Sequence, residues 1–303
     1  MFKTRLLSGI MLMIIALTTV IAGGQVLFTV LFAISLIGMS ELYKVFGIEK
    51  KAPGIVGYIF AFGYYALIYM EEYLPVIVFS QISPDMKKET IKAQTVIARS
   101  NIQRWLGEGK NLAEILRENG STEEVWRYFF AEKRQIYEQA AKETDGQVLT
   151  YEGKVRLTPW HKRSAGKTRS GEEVFHDEAY TYLKSADSSE DKKSPDHIKI
   201  VEIPAGQLSG ELKIKKRDSA GYVTELTIGE TLLEGESFAA GMGLESANFS
   251  LKKKDDIYYL RVRGSGHGVG FSQFGGNEMA KNGSSAEEIL EKYFPEMELK
   301  AED

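Results

Sequence analysis

The pattern of apolar and polar positions divides the chain into two unlike parts. Apolar residues run almost unbroken from Leu6 to Ala22 and from Gln25 to Phe46, with Gly23-Gly24 between them, and no charged side chain occurs from Leu6 to Ser40. A third apolar stretch, Ile55 to Met70, is shorter and carries tyrosines. A helix needs about 20 residues to span a hydrocarbon core of about 30 Å, so the pattern predicts a helical hairpin followed by a third membrane segment. Lys3 and Arg5 precede the first span, Lys50 and Lys51 follow the second, and Glu71 and Glu72 follow the third. Basic flanks stay on the cytoplasmic side, which places everything after Glu71 outside the cell membrane. A cleavable signal peptide is the rival reading of the first segment, and the second apolar run so soon afterwards speaks against it. The expected organisation is a membrane anchor over residues 1–70, a body over 71–296 and a frayed acidic tail over 297–303.

Within the body, Ser83-Pro84 predicts a helix start, because serine caps free N–H groups and proline suits the first helical position. From Met86 to Leu106 apolar residues cover most of a helical circumference, leaving Lys88, Lys92 and Arg99 on one polar strip. Ser121 and Glu124 read as a capping box for a second helix carrying Trp126, Phe129, Phe130, Tyr137 and Ala140, an aromatic stripe expected in the core. After Gly146, short alternating runs such as QVLTYEG, HIKIVEIP and DIYYLRVRG predict antiparallel strands. KSADSSEDKKSPD reads as a polar surface loop, and Ser285 to Phe294 as a last helix. The fold class expected is α+β: N-terminal transmembrane helices, then a soluble domain with two or three helices and an antiparallel, partly barrel-like sheet.

Charge and composition narrow the function. A net charge of −4, with no clustered basic footprint, argues against a nucleic-acid partner. Cysteine is absent, which removes disulfides, thiolate nucleophiles and sulfur-ligated zinc. The histidines His161, His176, His197 and His267 do not pair at a metal-binding spacing, so neither a metal nor a cofactor is expected. GSGHGVGFSQFGG, from Gly264, has glycines at 264, 266, 268 and 270, which fails the GxGxxG spacing of a dinucleotide loop. Glycine at every second position predicts instead a strand bare on one face, which another backbone or an extended polymer could approach, with His267, Ser272 and Gln273 as its polar features. A tightly packed glycine turn is the alternative.

Two resemblances follow. MFKTRLLSGI, IAGGQVLFTVLFAISLIGMSELYKVFGI and PGIVGYIFAFGYYALIY resemble the first membrane segments of bacterial phosphatidate cytidylyltransferase, whose C-terminal catalytic signature has no counterpart here. EEYLPVIVFSQISPD (71–85), IKAQTVIARSNI (91–102), GQVLTYEGKVRLTPWHKRSAGKT (146–168), YLKSADS (182–188), MGLESANFSL (242–251) and GSGHGVGFSQFGGNEMAKNG (264–283) resemble, in order, the stage II sporulation protein D and amidase-enhancer family. That resemblance implies a membrane-anchored lytic transglycosylase that cleaves peptidoglycan glycan strands to 1,6-anhydro ends during engulfment, beside a cell-wall amidase. Such chemistry needs one carboxylic acid that first protonates the glycosidic oxygen and then, as carboxylate, takes a proton from the sugar's 6-hydroxyl. The family places it in a Glu-Met-Pro motif, and the residue aligned with that glutamate is Gln81. An amide cannot shuttle the proton, so catalysis is expected to be impaired. The resemblance and the polar strip together give Lys92, Arg99, Ser164, Thr168, Tyr182, Lys184, His267, Ser272 and Gln273 as expected glycan-binding positions. The competing expectations are a non-catalytic enhancer that recruits the amidase, and a cytidylyltransferase-related membrane protein without its catalytic end.

Overall fold

The computed structural model describes residues 24–110, 114–115, 127–128 and 130–301. The chain divides into two compact units, Met1–Glu72 and Tyr73–Asp303. The first contains α1 (Gly24–Val45) and the greater part of α2 (Ala52–Gln81). Tyr43 meets Tyr58 edge to face with ring centroids 5.2 Å apart. Large apolar side chains are bare along both helices, among them Val45 at 82% exposure and Phe60 at 74%.

The expected first span, Leu6–Ala22, lies outside the described residues. Among the described residues no helix is long and apolar enough to cross a membrane, whereas the sequence pattern led to transmembrane helices. The second and third expected spans are helical, but their ends differ from the expectation. The last turns of α1 carry a Glu41–Lys44 ion pair at 2.9 Å. The apolar run in α2 continues past Met70 through Glu71 and Glu72 to Gln81, and its residues Leu74 and Val76–Val78 belong to the buried core of the second unit.

That second unit is α+β. Its central helix, α3 (Lys88–Gly107), is buried from Thr90 to Ile102 at every position but Lys92, as apolar residues around most of the circumference require. It begins after the predicted start because Ser83-Pro84 makes a turn of its own: Ser83 Oγ accepts from Asp85 N–H at 3.3 Å, and Lys87 N–H donates to Asn277 Oδ1 at 2.7 Å. The second helix is α4 (Arg134–Glu143). Tyr137 and Ala140 are buried as expected, Phe130 is 80% exposed, and the Ser121–Glu124 capping box, Trp126 and Phe129 lie outside the described residues.

The strands follow as β1 (Gln147–Tyr151), β2 (Lys154–Val155), β3 (Trp160–His161), β4 (Ile198–Pro204), β5 (Leu212–Arg217), β6 (Val223–Ile228), β7 (Thr231–Glu234), β8 (Phe249–Lys254), β9 (Ile257–Arg263), β10 (Phe271–Ser272) and β11 (Glu298–Ala301). Helices α5 (Gly171–Phe175) and α6 (Gly235–Gly241) interrupt them, and α7 (Gln273–Lys281) and α8 (Ala286–Tyr293) precede β11. Strand orders are β11-β1-β2, β4-β9-β8 and β5-β6-β7, all antiparallel, with a short parallel β10-β3 pair. No sheet closes into the expected barrel. Where β5 faces β9, the Leu212 N–H is taken by the Tyr258 hydroxyl at 3.1 Å, so a side chain satisfies the edge that another strand would need. Residues 298–301, expected as frayed tail, are a strand paired with β1 from Gln147↔Ala301 to Thr150↔Glu298.

Among the described residues, two large apolar clusters stand out. In one, Val96 and Ile97 of α3, Leu149 of β1, Phe271 of β10 and Ile289, Leu290 and Tyr293 of α8 come together. The other fills the sheets with Tyr222, Leu226, Phe238, Phe249 and Leu260.

The glycine-rich run is a loop and not a bare strand. Gly264, Gly266, Gly268 and Gly270 have φ of 73°, 102°, 78° and 71°, a region closed to most side chains. The space beside them belongs to the chain itself: a Cβ on Gly270 would strike the Pro159 carbonyl oxygen, and one on Gly268 would lie 2.5 Å from the Tyr222 ring. These glycines therefore pack the loop against the segment around β3, and leave no face for a polymer.

Candidate functional site

Three glutamines from three distant segments join at the end of α2. Gln94 Nε2 donates to Gln81 Oε1 at 2.7 Å, and Gln273 Nε2 donates both to Gln94 Oε1 at 3.1 Å and to the Gln81 carbonyl at 2.9 Å. Gln273 is held because it opens α7, whose cap is Ser272: its Oγ accepts from Gly275 N–H at 3.3 Å. Gln94 sits on the buried length of α3. Beside this amide cluster lies a cavity of about 420 Å³ whose lining includes Gln81, Ser83, Arg127, Lys162, Arg163 and Gln273.

The wall carrying Lys162 and Arg163 is anchored from behind by a buried carboxylate, Asp191. It accepts Ser164 N–H and Oγ at 2.8 and 2.6 Å, Ser188 Oγ at 2.9 Å and Ser272 Oγ at 2.8 Å. Ser188 Oγ also meets the Tyr293 hydroxyl at 2.8 Å. Burial raises the Asp191 carboxyl above its ordinary value, although every one of those donors pulls the other way. The segment read as a polar surface loop is thus partly internal: Ser188, Asp191 and Ser194 are buried, because their polar groups satisfy one another and their neighbours.

Among the described residues no carboxylate lines the cavity. Asp85, close in sequence, is exposed and paired with Lys133 at 2.5 Å, which holds its carboxyl below the usual range and makes it a poor proton donor. Glu89 is occupied by Lys92 at 3.1 Å and by the Ala286 N–H at 2.8 Å. His161 is fully enclosed, with Nδ1 on the Val269 carbonyl at 3.1 Å, and burial pushes its imidazole down to about 3. It stays neutral at physiological pH. Among the described residues no group of histidine or carboxylate ligands could hold a metal ion.

Of the expected binding positions, Gln273 joins Gln81 at the cavity, and Ser164 and Ser272 stand behind its wall on Asp191. The others are elsewhere. Arg99 is completely buried and donates to Thr144 Oγ1, the Gln147 carbonyl and the Ala141 carbonyl, each at 3.2 Å. It therefore ties the end of α4 to the start of β1 and does not line a groove, the Ala141 carbonyl being one of those a helix end leaves without a helical partner. Lys92 lines a different, smaller cavity with Glu89 and Glu143. Tyr182 is buried with its hydroxyl on the Leu157 carbonyl at 3.0 Å, and Thr168 Oγ1 accepts from Ala186 N–H at 2.7 Å. Lys184 and His267 are exposed and do not line the cavity, and His267 Nδ1 accepts from Val269 N–H at 3.1 Å. Sequence reasoning missed Gln94, Arg127, Lys162, Arg163 and Asp191. Adjacent lysine and arginine ahead of SAGKT, in a chain with net negative charge, were the available signal for the basic wall.

Residues 62–151 match the family model described as Stage II sporulation protein. The chain carries a stage II sporulation protein family domain. The matched stretch of that domain contains Gln81, Gln94 and Arg99. Stage II sporulation protein D of Bacillus amyloliquefaciens and that of Bacillus subtilis (strain 168) are each 28% identical to the chain over 258 residues, covering 77% of it and 75% of the relative. An uncharacterized protein of Brachyspira hyodysenteriae is 27% identical over 241 residues, covering 74% of the chain and 65% of that protein. For the stage II sporulation protein domain these likenesses reach well beyond the matched 62–151.

Proposed function

We propose that the chain is a sporulation-related protein that binds peptidoglycan glycan strands at the Gln81 cavity and cleaves them poorly or not at all. The observation that carries this reading is the amide cluster. Where the one-acid route needs a titrating carboxyl, the cavity offers Gln81, whose Oε1 is already bound to Gln94, and none of the described residues that line it is an acid. Glycan binding survives such a loss, because a sugar is held by many hydrogen bonds and not by one group. Incubating the protein with denuded glycan tests the claim: binding without anhydro-ended products is expected, and vigorous cleavage by the native chain refutes it.

An amide at position 81, with no acid among the described lining residues, also favours the second reading, a glycan-bound enhancer of a cell-wall amidase. Mixed with such an amidase, the chain should raise its rate, and Gln81→Ala should leave the stimulation intact.

The bare apolar side chains of α1 and α2, with basic residues before and acidic residues after them, support attachment to the cell membrane with the second unit outside. Retention in the membrane fraction after alkaline extraction, together with digestion of the second unit by protease added to wall-stripped cells, is the expected result.

A further inference from the structure

Alternation along the β8-β9 hairpin sorts its side chains between two faces. The register sets Phe249 against Val262, Leu251 against Leu260 and Ser250 against Arg261. Phe249, Leu251, Leu260 and Val262 therefore pack into the second apolar cluster, while Ser250, Lys252, Arg261 and Arg263 take the opposite face. Beside Ser250 an open cleft of about 470 Å³ lies between β8 and β5, and β5 lines it with Lys213, Lys215 and Arg217. No single run of sequence holds these cations together. The fold collects them from β5, β8 and β9, in a chain whose net charge is −4.

Three guanidiniums meet at the Ser250 end. Arg263 Nη2 donates to Ser250 Oγ at 3.3 Å, and Arg217 donates through Nη2 to the Phe249 carbonyl and through Nη1 to the Gly221 carbonyl, each at 2.7 Å. Arg261 stands across the strands from Ser250. Burial and then Arg263 hold the Arg217 guanidinium below its ordinary value, with Asp218 pulling the other way. Burial and then Arg261 do the same to Arg263, which is thus repelled from both sides. Lys213 is paired with Glu211 at 2.7 Å, whereas Lys215, Arg217, Lys252, Arg261 and Arg263 form no ion pair among the described residues. Of the acids on the β4-β9-β8 sheet, Glu202 faces Tyr259, and Asp255 and Asp256 form the hairpin turn at the far end from Ser250.

A guanidinium carries five N–H donors, and the described bonds use two on Arg217 and one on Arg263. The oxygens of a phosphate can be shared among several guanidiniums, whereas the two oxygens of a carboxylate suit a single fork. Cations spread over three strands suit an extended chain of anions better than one ion. None of the described residues lining the cleft is aromatic, so a nucleic-acid base finds no ring there to stack on.

We propose that the cleft between β5 and β8, with Lys215, Arg217, Arg261 and Arg263, binds the phosphate groups of an extended, base-free polyanion such as a glycerol-phosphate polymer. None of these residues lines the Gln81 cavity, so the site stands or falls apart from the glycan reading.

The test measures binding to the full chain in detergent with three probes matched in length and charge: a glycerol-phosphate polymer, poly-glutamate and single-stranded DNA. At low salt the glycerol-phosphate polymer should bind about tenfold more tightly than poly-glutamate, and added salt should weaken it steeply. Lys215→Gln with Arg261→Gln, both exposed and outside the described hydrogen bonds, should weaken polymer binding about tenfold and leave the thermal midpoint unchanged. Lys142→Gln with Lys154→Gln removes the same charge at exposed positions elsewhere and should weaken it by about twofold at most. Equal binding of poly-glutamate overturns the phosphate assignment, and tighter binding of DNA overturns the base-free one. An equal loss in the two double variants, or no polymer binding by the native chain at low salt, overturns the site itself.

Discussion

At Gln81 the side chain that could carry a proton is an amide, and its surroundings would also oppose a carboxylic acid. A glutamate there would accept from Gln94 Nε2 and face Arg127, Lys162 and Arg163, all of which favour the ionised form and lower the pKa. Gln81→Glu should therefore cleave denuded glycan only at acid pH. Its rate should fall about tenfold per pH unit once the pH exceeds that lowered value. Anhydro-ended products measured against pH check this, and an optimum near neutrality would show that the cations do not reach residue 81. Arg99 makes the opposite case. Its match to a family motif made it look like a ligand contact, but the acceptors described for it are internal. Arg99→Met should lower the unfolding free energy by about 3 kcal/mol in urea titrations while folded protein keeps its glycan affinity. Sequence showed which residue stands at 81, because a motif fixes a position. It could not show that Arg99 points inward, because period alone does not say what an adjacent element offers a buried cation.

Elements here are joined by polar side chains as much as by apolar contact. Asp191 ties the turn at Ser164, the turn at Ser188 and the start of α7 at Ser272. Because burial raises its pKa, native protein takes up a proton at Asp191 at a higher pH than unfolded protein does. This group's contribution to stability therefore grows as pH falls through the raised value, and levels off below the ordinary aspartate range. Denaturant titrations of wild type and Asp191→Asn should show a stability gap that widens on acidification. The glycine loop is the backbone counterpart. Gly270→Ala places a Cβ on a backbone already at left-handed φ and against the Pro159 carbonyl, and should cost about 2–4 kcal/mol, read as a drop in thermal midpoint. Alternation made the strands legible: β4 and β9 fall within HIKIVEIP and DIYYLRVRG. The glycine run deceived the same rule, since period two in glycine records a repeated backbone conformation and not a repeated face. The polar segment 184–196 deceived composition, because hydroxyls around one carboxylate can be buried at little cost once each finds a partner.

On the scale of the whole molecule, the division into an apolar first unit and a mixed second one was plain from charge alone. The sheet arrangement was not, because strand pairing depends on which edges side chains cover, as Tyr258 covers Leu212. The second unit is closed by contacts between its extremes. Strand β11 pairs with β1, and Gln273 reaches back 192 residues to Gln81. A chain ending at Pro295 would lose β11 and expose the Leu149 side of the first core. Its unfolding transition should broaden and move to lower denaturant, measured by tryptophan fluorescence. The same closure sets a schedule during synthesis. α2 and Gln81 emerge early, yet the cavity lacks a wall until α7 has followed, and the β11-β1-β2 sheet is incomplete until the final strand is free. For most of the time it is being made, the chain carries Gln81 without Gln273 opposite it, and the amide cluster is complete only once α7 has emerged.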